Sequence, residues 1–187
     1  MSKAVMLSIR PKWCEKIASG EKTIEVRKTR PKLQTPFKCY IYCTSGRPDL
    51  NIPISPERLM QDYLDTGSMK SLNCPLGNGK VIGEFTCDRI YGLAPLNHAP
   101  DDVEQQACMT REEIVRYLKG VGYGWHISDF KIYDKPRELR EFKKINRECF
   151  YADLGLAKRD CPDCKNSGCF LERPPQSWCY VEVMQDG

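Results

Sequence analysis

Gly20-Glu21-Lys22-Thr23-Ile24-Glu25-Val26-Arg27 is the densest chemical signal in the chain. On an extended strand Glu25 and Arg27 lie two residues apart and point to one side, while Ile24 and Val26 point to the other. Lys22 sits at the mouth of that strand. A cation, a carboxylate and a second cation, held on rigid backbone, can grip a polar ligand with a phosphate and hydrogen-bonding edges. The guanidinium suits two phosphate oxygens at once, and the lysine acts as a point charge. Lys22 with Glu25 would also serve as an acid–base pair if burial moved their pKa values toward neutrality. The competing reading is an exposed strand face with an ordinary surface ion pair.

Three further groups carry weaker signals. Arg10, Lys12 and Trp13 offer two cations and an indole near a helix start, able to hold a phosphate and stack a base. Trp13 also falls on the apolar stripe of that helix, which argues for a core role. Gln176, Ser177 and Trp178 follow the stiff Pro174-Pro175 pair, and a glutamine amide presents both a donor and an acceptor to a base edge. Cys161, Cys164 and Cys169 form C-x₂-C-x₄-C, the turn spacing of a zinc knuckle, but a structural zinc needs a fourth ligand and none falls at standard spacing. The alternative is a loop of free thiols, and no cofactor is required. His126, alone in a strand, reads as a structural hydrogen-bonder. No P-loop, dinucleotide fingerprint, H-E-x-x-H or serine elbow is present.

These groups must be positioned by short elements. Val5–Ile9 alternates apolar and polar residues and reads as a strand. Pro11 opens a short helix that Gly20 stops. Strands follow at 23–27, 38–44, 80–90, 125–133 and 178–183, rich in β-branched and aromatic types. Thr110 with Glu113 forms a capping box for a helix that ends at Gly120. A second helix is expected from Pro56 to Leu64, with Ser55 as its cap. Pro136 opens a charged turn through Phe142. Stretches 45–78 and 146–175 read as irregular surface insertions. Six strands with few helices imply one domain over 1–187, mainly β with helices (α+β), arranged as a small mixed β-barrel with covering helices.

Composition sets the outer bounds. The chain has 187 residues, 29 Lys plus Arg against 25 Asp plus Glu, and a formal net charge of +4. Such a balance permits phosphate binding without demanding it, so the placement of charge must decide. No apolar run approaches the ~20 residues of a membrane span, and the N-terminus lacks a signal-peptide pattern. Eleven cysteines, an odd number, fit a reducing compartment better than a disulfide framework. The expected location is the cytoplasm, with no membrane partner. Cys39, Cys87 and Cys179 lie in strand-like runs and read as small buried hydrophobes.

The spacing Gly-x-Lys-x-x-Glu-x-Arg after an N-terminal helix resembles the signature of the ASCH domain, a PUA-like β-barrel. Leu7-Ser8-Ile9-Arg10-Pro11-Lys12-Trp13, His126-Ile127-Ser128-Asp129 and Pro174 to Glu182 resemble bacterial and prophage-type members in the same way. The resemblance implies a cleft beside the signature strand and an RNA or nucleoside/nucleotide ligand. It places Lys22, Glu25 and Arg27 on the wall, with Arg10, Lys12, Trp13, Gln176, Ser177 and Trp178 as neighbours. It also carries two alternatives: a hydrolase acting on an N4-acylated cytidine-like nucleoside or on RNA, and a protein-interaction module. In the amidohydrolase branch a lysine works with a threonine three residues later and a distant glutamate. Lys22 matches the lysine, Glu25 stands where that threonine would be, and Glu104 is a loose counterpart of the glutamate.

Overall fold

The computed structural model describes residues 2–45, 79–93, 98–145 and 170–184. Eight strands and three helices occur among them. In chain order these are β1 (Lys3–Ile9), α1 (Pro11–Ala18), β2 (Ile24–Arg27), β3 (Phe37–Cys43), β4 (Val81–Cys87), β5 (Ile90–Gly92), α2 (Val103–Ala107), α3 (Arg111–Leu118), β6 (Tyr123–His126), β7 (Ser128–Arg137) and β8 (Trp178–Glu182). Within the described residues no helix is long and apolar enough to cross a membrane.

The strands form two sheets. A five-stranded sheet runs β7-β4-β3-β1-β8, and a three-stranded sheet runs β2-β6-β5. β1 lies parallel to β3 and antiparallel to β8. The architecture is therefore sheet-dominated α+β. Two of the runs expected as single strands each turn a corner. The first passes from β4 to β5 after Cys87, and the second passes from β6 to β7 across Ile127. Each corner carries the chain from one sheet to the other, which is why about six sequence runs become eight strands. Asp129, at the second corner, has φ 48°. Gly83 is required at the β4–β7 crossing, because a Cβ there would lie 2.4 Å from the Lys131 carbonyl oxygen.

Both faces of the large sheet are covered. Val5, Leu7, Ile9, Cys39, Ile41, Phe85 and Cys87 meet Trp125 of the small sheet in the inter-sheet core. Ala4, Met6, Tyr40 and Val181 face the other way, under Leu139, Phe142 and Leu171. Ile24 and Val26 of β2 pack outward against Val103 and Ala107 of α2 and Ile114 and Leu118 of α3. Cys39 and Cys87 are thus buried, while Cys179 is half-buried.

Several local expectations change in the folded chain. α2 lies in a stretch expected to be a polar loop; two apolar residues, Val103 and Ala107, suffice to pack it on β2. Pro136 falls inside β7 rather than opening a turn, and the turn is the 3₁₀ segment Leu139–Glu141. Leu171, inside the expected second insertion, is buried against Phe142. The Pro56–Leu64 helix and Cys161, Cys164 and Cys169 lie outside the described residues.

Candidate functional site

Helix α1 and strand β2 are joined by a tight link that fixes Lys22. Gly20 takes φ +78° as α1 ends, a conformation that costs glycine little. The Lys22 N–H then donates to the Lys16 carbonyl at 2.9 Å, and the Thr23 N–H donates to the Gln106 carbonyl at 2.9 Å. The link is therefore tied both to α1 and to α2.

The signature side chains are buried, which overturns the surface ion-pair reading. Lys22, Glu25 and Arg27 are 2%, 6% and 6% exposed. The register explains this. Glu25 pairs with Trp125 and Arg27 with Tyr123 across the β2–β6 ladder, and both aromatics pack into the inter-sheet core. The polar face of β2 thus looks inward between the sheets.

Glu25 joins the two cations. One carboxylate oxygen accepts from Arg27 Nη2 at 3.0 Å, and the other lies 3.6 Å from Lys22 Nζ. Lys22 Nζ also donates to the Ala107 carbonyl at 2.7 Å and stands 4.8 Å from the Trp13 ring centroid. Burial pushes the Lys22 ammonium below the ordinary lysine range, and the neighbouring Glu25 carboxylate opposes that shift.

Arg27 has a different task from the phosphate fork its residue type suggests. Nη1 donates to the carbonyl and hydroxyl of Ser177 at 3.1 and 3.2 Å. Nη2 donates to the Ser8 carbonyl at 2.7 Å as well as to Glu25. Both terminal nitrogens are thus committed to the protein, and only the buried Nε–H lacks a partner among the described residues. The Ser8 N–H donates to the Ser177 carbonyl at 3.0 Å, and the Ser8 hydroxyl donates to the Pro175 carbonyl. Arg27 therefore clamps β1 to the start of β8 and orients Glu25.

A cavity of about 410 Å³ opens beside this cluster. That falls within the ~300–1,000 Å³ of small-molecule sites. Arg10, Trp13, Lys22, Glu25, Arg27 and Gln176 all line it. Ser177 touches the site through Arg27. Lys12 and Trp178 are not in the lining. Lys12 is exposed, with Nζ 4.4 Å from the Trp13 ring centroid. Trp178 Nε1 donates to Thr29 Oγ1 at 2.9 Å, and its ring packs on Trp125 and Tyr180. Trp13 is half-buried: it packs against the inter-sheet core beside Cys14 and Ile17 and also lines the cavity.

Other candidate groups are engaged elsewhere. The Glu104 carboxylate accepts from the Arg111 backbone N–H at 2.7 Å and is not in the lining. His126 Nδ1 lies 2.6 Å from the Asp88 carboxylate at the β4–β5 corner, in keeping with a structural role. The cavity also takes Thr44, Met109 and Tyr117, which the sequence reading left out. Tyr117 carried a usable signal: it is an aromatic off the Ile114/Leu118 stripe of α3, and it is 42% exposed.

Two sheets around one core, with a buried Lys-Glu-Arg signature strand, define an ASCH-type α+β fold. Among solved structures, a serine-to-alanine variant of an ASCH protein from Zymomonas mobilis superposes with a TM-score of 0.50 at 15% identity, covering 96% of this chain and 88% of that one. The unmutated Zymomonas mobilis ASCH protein gives 0.49 at 16% identity, covering 96% and 87%. No family model matches the chain, and no curated protein matches it. At such identity the likeness is one of fold.

Proposed function

We propose that this chain binds RNA or a modified nucleotide, holding one nucleotide in the cavity beside Lys22, Glu25 and Arg27. The charge of the lining carries the reading. Arg10, Lys22 and Arg27 face a single carboxylate, Glu25, so the described lining has a net charge of +2 (three cations less one anion). Two of those cations are buried, and a buried charge excess favours an anionic occupant. Exposed Arg10 takes the phosphate as the mobile cation, Lys22 supplies the fixed one, and Gln176 at the rim reads a base edge.

The test is binding of a nucleoside, its monophosphate and a short single-stranded RNA, measured by calorimetry and anisotropy. Lys22→Met is expected to abolish monophosphate binding, and Arg140→Ala, a surface change, to leave it intact. Equal losses from both would mean diffuse electrostatics and overturn the reading.

One observation favours a second reading, a hydrolase of acylated nucleosides or RNA. A lysine whose ammonium is destabilised by burial, 3.6 Å from a carboxylate, is placed for proton transfer with it. That reading requires turnover of an N4-acylated cytidine or a short RNA, lost in Lys22→Met. Absence of turnover in the unaltered protein removes it.

A further inference from the structure

Immediately after Arg27 the chain reads Lys28-Thr29-Arg30-Pro31-Lys32. Lys28, Arg30 and Lys32 are exposed, and Pro31 is buried. Among the described residues none of the three cations forms an ion pair. A run of lysines and arginines is by itself an ordinary solvated surface. Three observations make this one different.

First, the segment is held in place. Thr29 Oγ1 accepts from Trp178 Nε1 at 2.9 Å, and the Lys32 N–H donates to the Tyr180 hydroxyl at 2.8 Å. Both partners belong to β8. Second, it is interleaved with aromatics: Lys28 Nζ stands 5.5 Å from the Tyr117 ring centroid, and the Arg30 guanidinium 5.5 Å from that of Tyr123. Third, it continues the cavity wall. Arg27 lines the cavity at one end of the run, and Tyr117, exposed at its edge, lines it as well. Cations on an anchored backbone, without ion pairs among the described residues and alternating with aromatic faces, suit a single polynucleotide strand, phosphates on the cations and bases on the rings.

We infer that Lys28, Arg30 and Lys32 form a phosphate track leading out of the cavity, with Tyr117 as the shelf on which the next base stacks. The ligand is then a single-stranded polynucleotide that threads one nucleotide into the cavity and lays its neighbours along the track. The inference rests on the nucleotide reading of the cavity, and it adds the direction in which the strand leaves.

The experiment compares the full chain with Lys28→Ala/Arg30→Ala/Lys32→Ala, Tyr117→Ala and a surface control, Lys3→Ala/Lys135→Ala/Arg140→Ala. Anisotropy follows a labelled ten-nucleotide single strand, as RNA and as DNA of one sequence, from 50 to 200 mM salt. A nucleoside monophosphate is titrated in parallel. Removing three phosphate contacts at a slope of ~0.7 each should flatten the log–log salt dependence by about 2 and remove roughly a twenty-fold affinity change over that range. Tyr117→Ala should weaken strand binding by roughly 5- to 150-fold without altering the salt slope. The triple variant, whose three residues lie outside the cavity lining, should not move monophosphate binding. The track reads phosphates, so RNA and DNA should lose the same slope.

If the control flattens the slope equally, or polyglutamate competes as well as the strand, the track is overturned. An unchanged slope in the triple variant also overturns it, while the cavity reading survives if Lys22→Met still abolishes monophosphate binding. If the triple variant loses strand binding and Lys22→Met changes neither ligand, the three cations bind phosphates, but the cavity reading fails and with it the threaded path proposed here.

Discussion

Glu25→Gln isolates what the buried cluster does. The carboxylate is 6% exposed and lies 3.0 Å from Arg27 Nη2 and 3.6 Å from Lys22 Nζ. Glutamine keeps the shape but removes the charge, and its amide nitrogen must face one of the two cations donor to donor. Leaving buried charge uncompensated in this way costs about 3–5 kcal/mol. For a chain of this length each kcal/mol moves the thermal midpoint by about 2–4 °C, so a fall of roughly 6–20 °C is expected. Urea unfolding at pH 7 measures the same loss directly. Adding Lys22→Met in the Glu25→Gln background should recover part of it, because one stranded cation is gone; the coupling should be about 0.5–3 kcal/mol. Inorganic phosphate should stabilise Glu25→Gln more than the parent, since the lining then holds cations without a carboxylate. A loss below ~1 kcal/mol, with an additive double variant, would show that water screens the cluster and would refute the burial argument.

Two further outcomes follow from the same groups and from the cysteines. Lys22 has a folded pKa below its ordinary value of 10.5. Between the two values the unfolded chain binds more protons, so the Lys22 contribution to stability rises with pH through that window. Below the window the penalty for burying the charged amine stands in full. The urea midpoint of the parent minus that of Lys22→Met should therefore climb as pH approaches 10, and a flat difference would contradict the assignment. Zinc on Cys161, Cys164 and Cys169 with a fourth thiolate implies about one zinc per chain in elemental analysis. Protein purified without chelators and carrying none would remove that idea.

Much of the fold was legible because its signals are local. The capping box of Thr110 and Glu113 forms as its spacing requires, and Gly20 ends α1 in the positive-φ conformation expected of it. The alternation of β2 separated Ile24 and Val26 from Glu25 and Arg27 correctly. It could not reveal that both faces are covered, since α2 and α3 cap one side and the large sheet the other. The commitment of Arg27 was equally hidden, because two of its partners lie on Ser177, 150 residues away. Corners escaped notice for a related reason. A continuous β-type run from 80 to 90 says nothing about which sheet each half joins.

The clamp around Arg27 also dictates an order of events in biosynthesis. Ser8 reaches Pro175 across 167 positions, and Arg27 reaches Ser177 across 150. Strands β1 and β3 can pair early, but the wall of the cavity waits for β8. A nascent chain therefore holds Arg27 without its Ser177 partner until residue 177 leaves the ribosome. Until then the Lys22–Glu25–Arg27 cluster lacks the contact that ties it to β8.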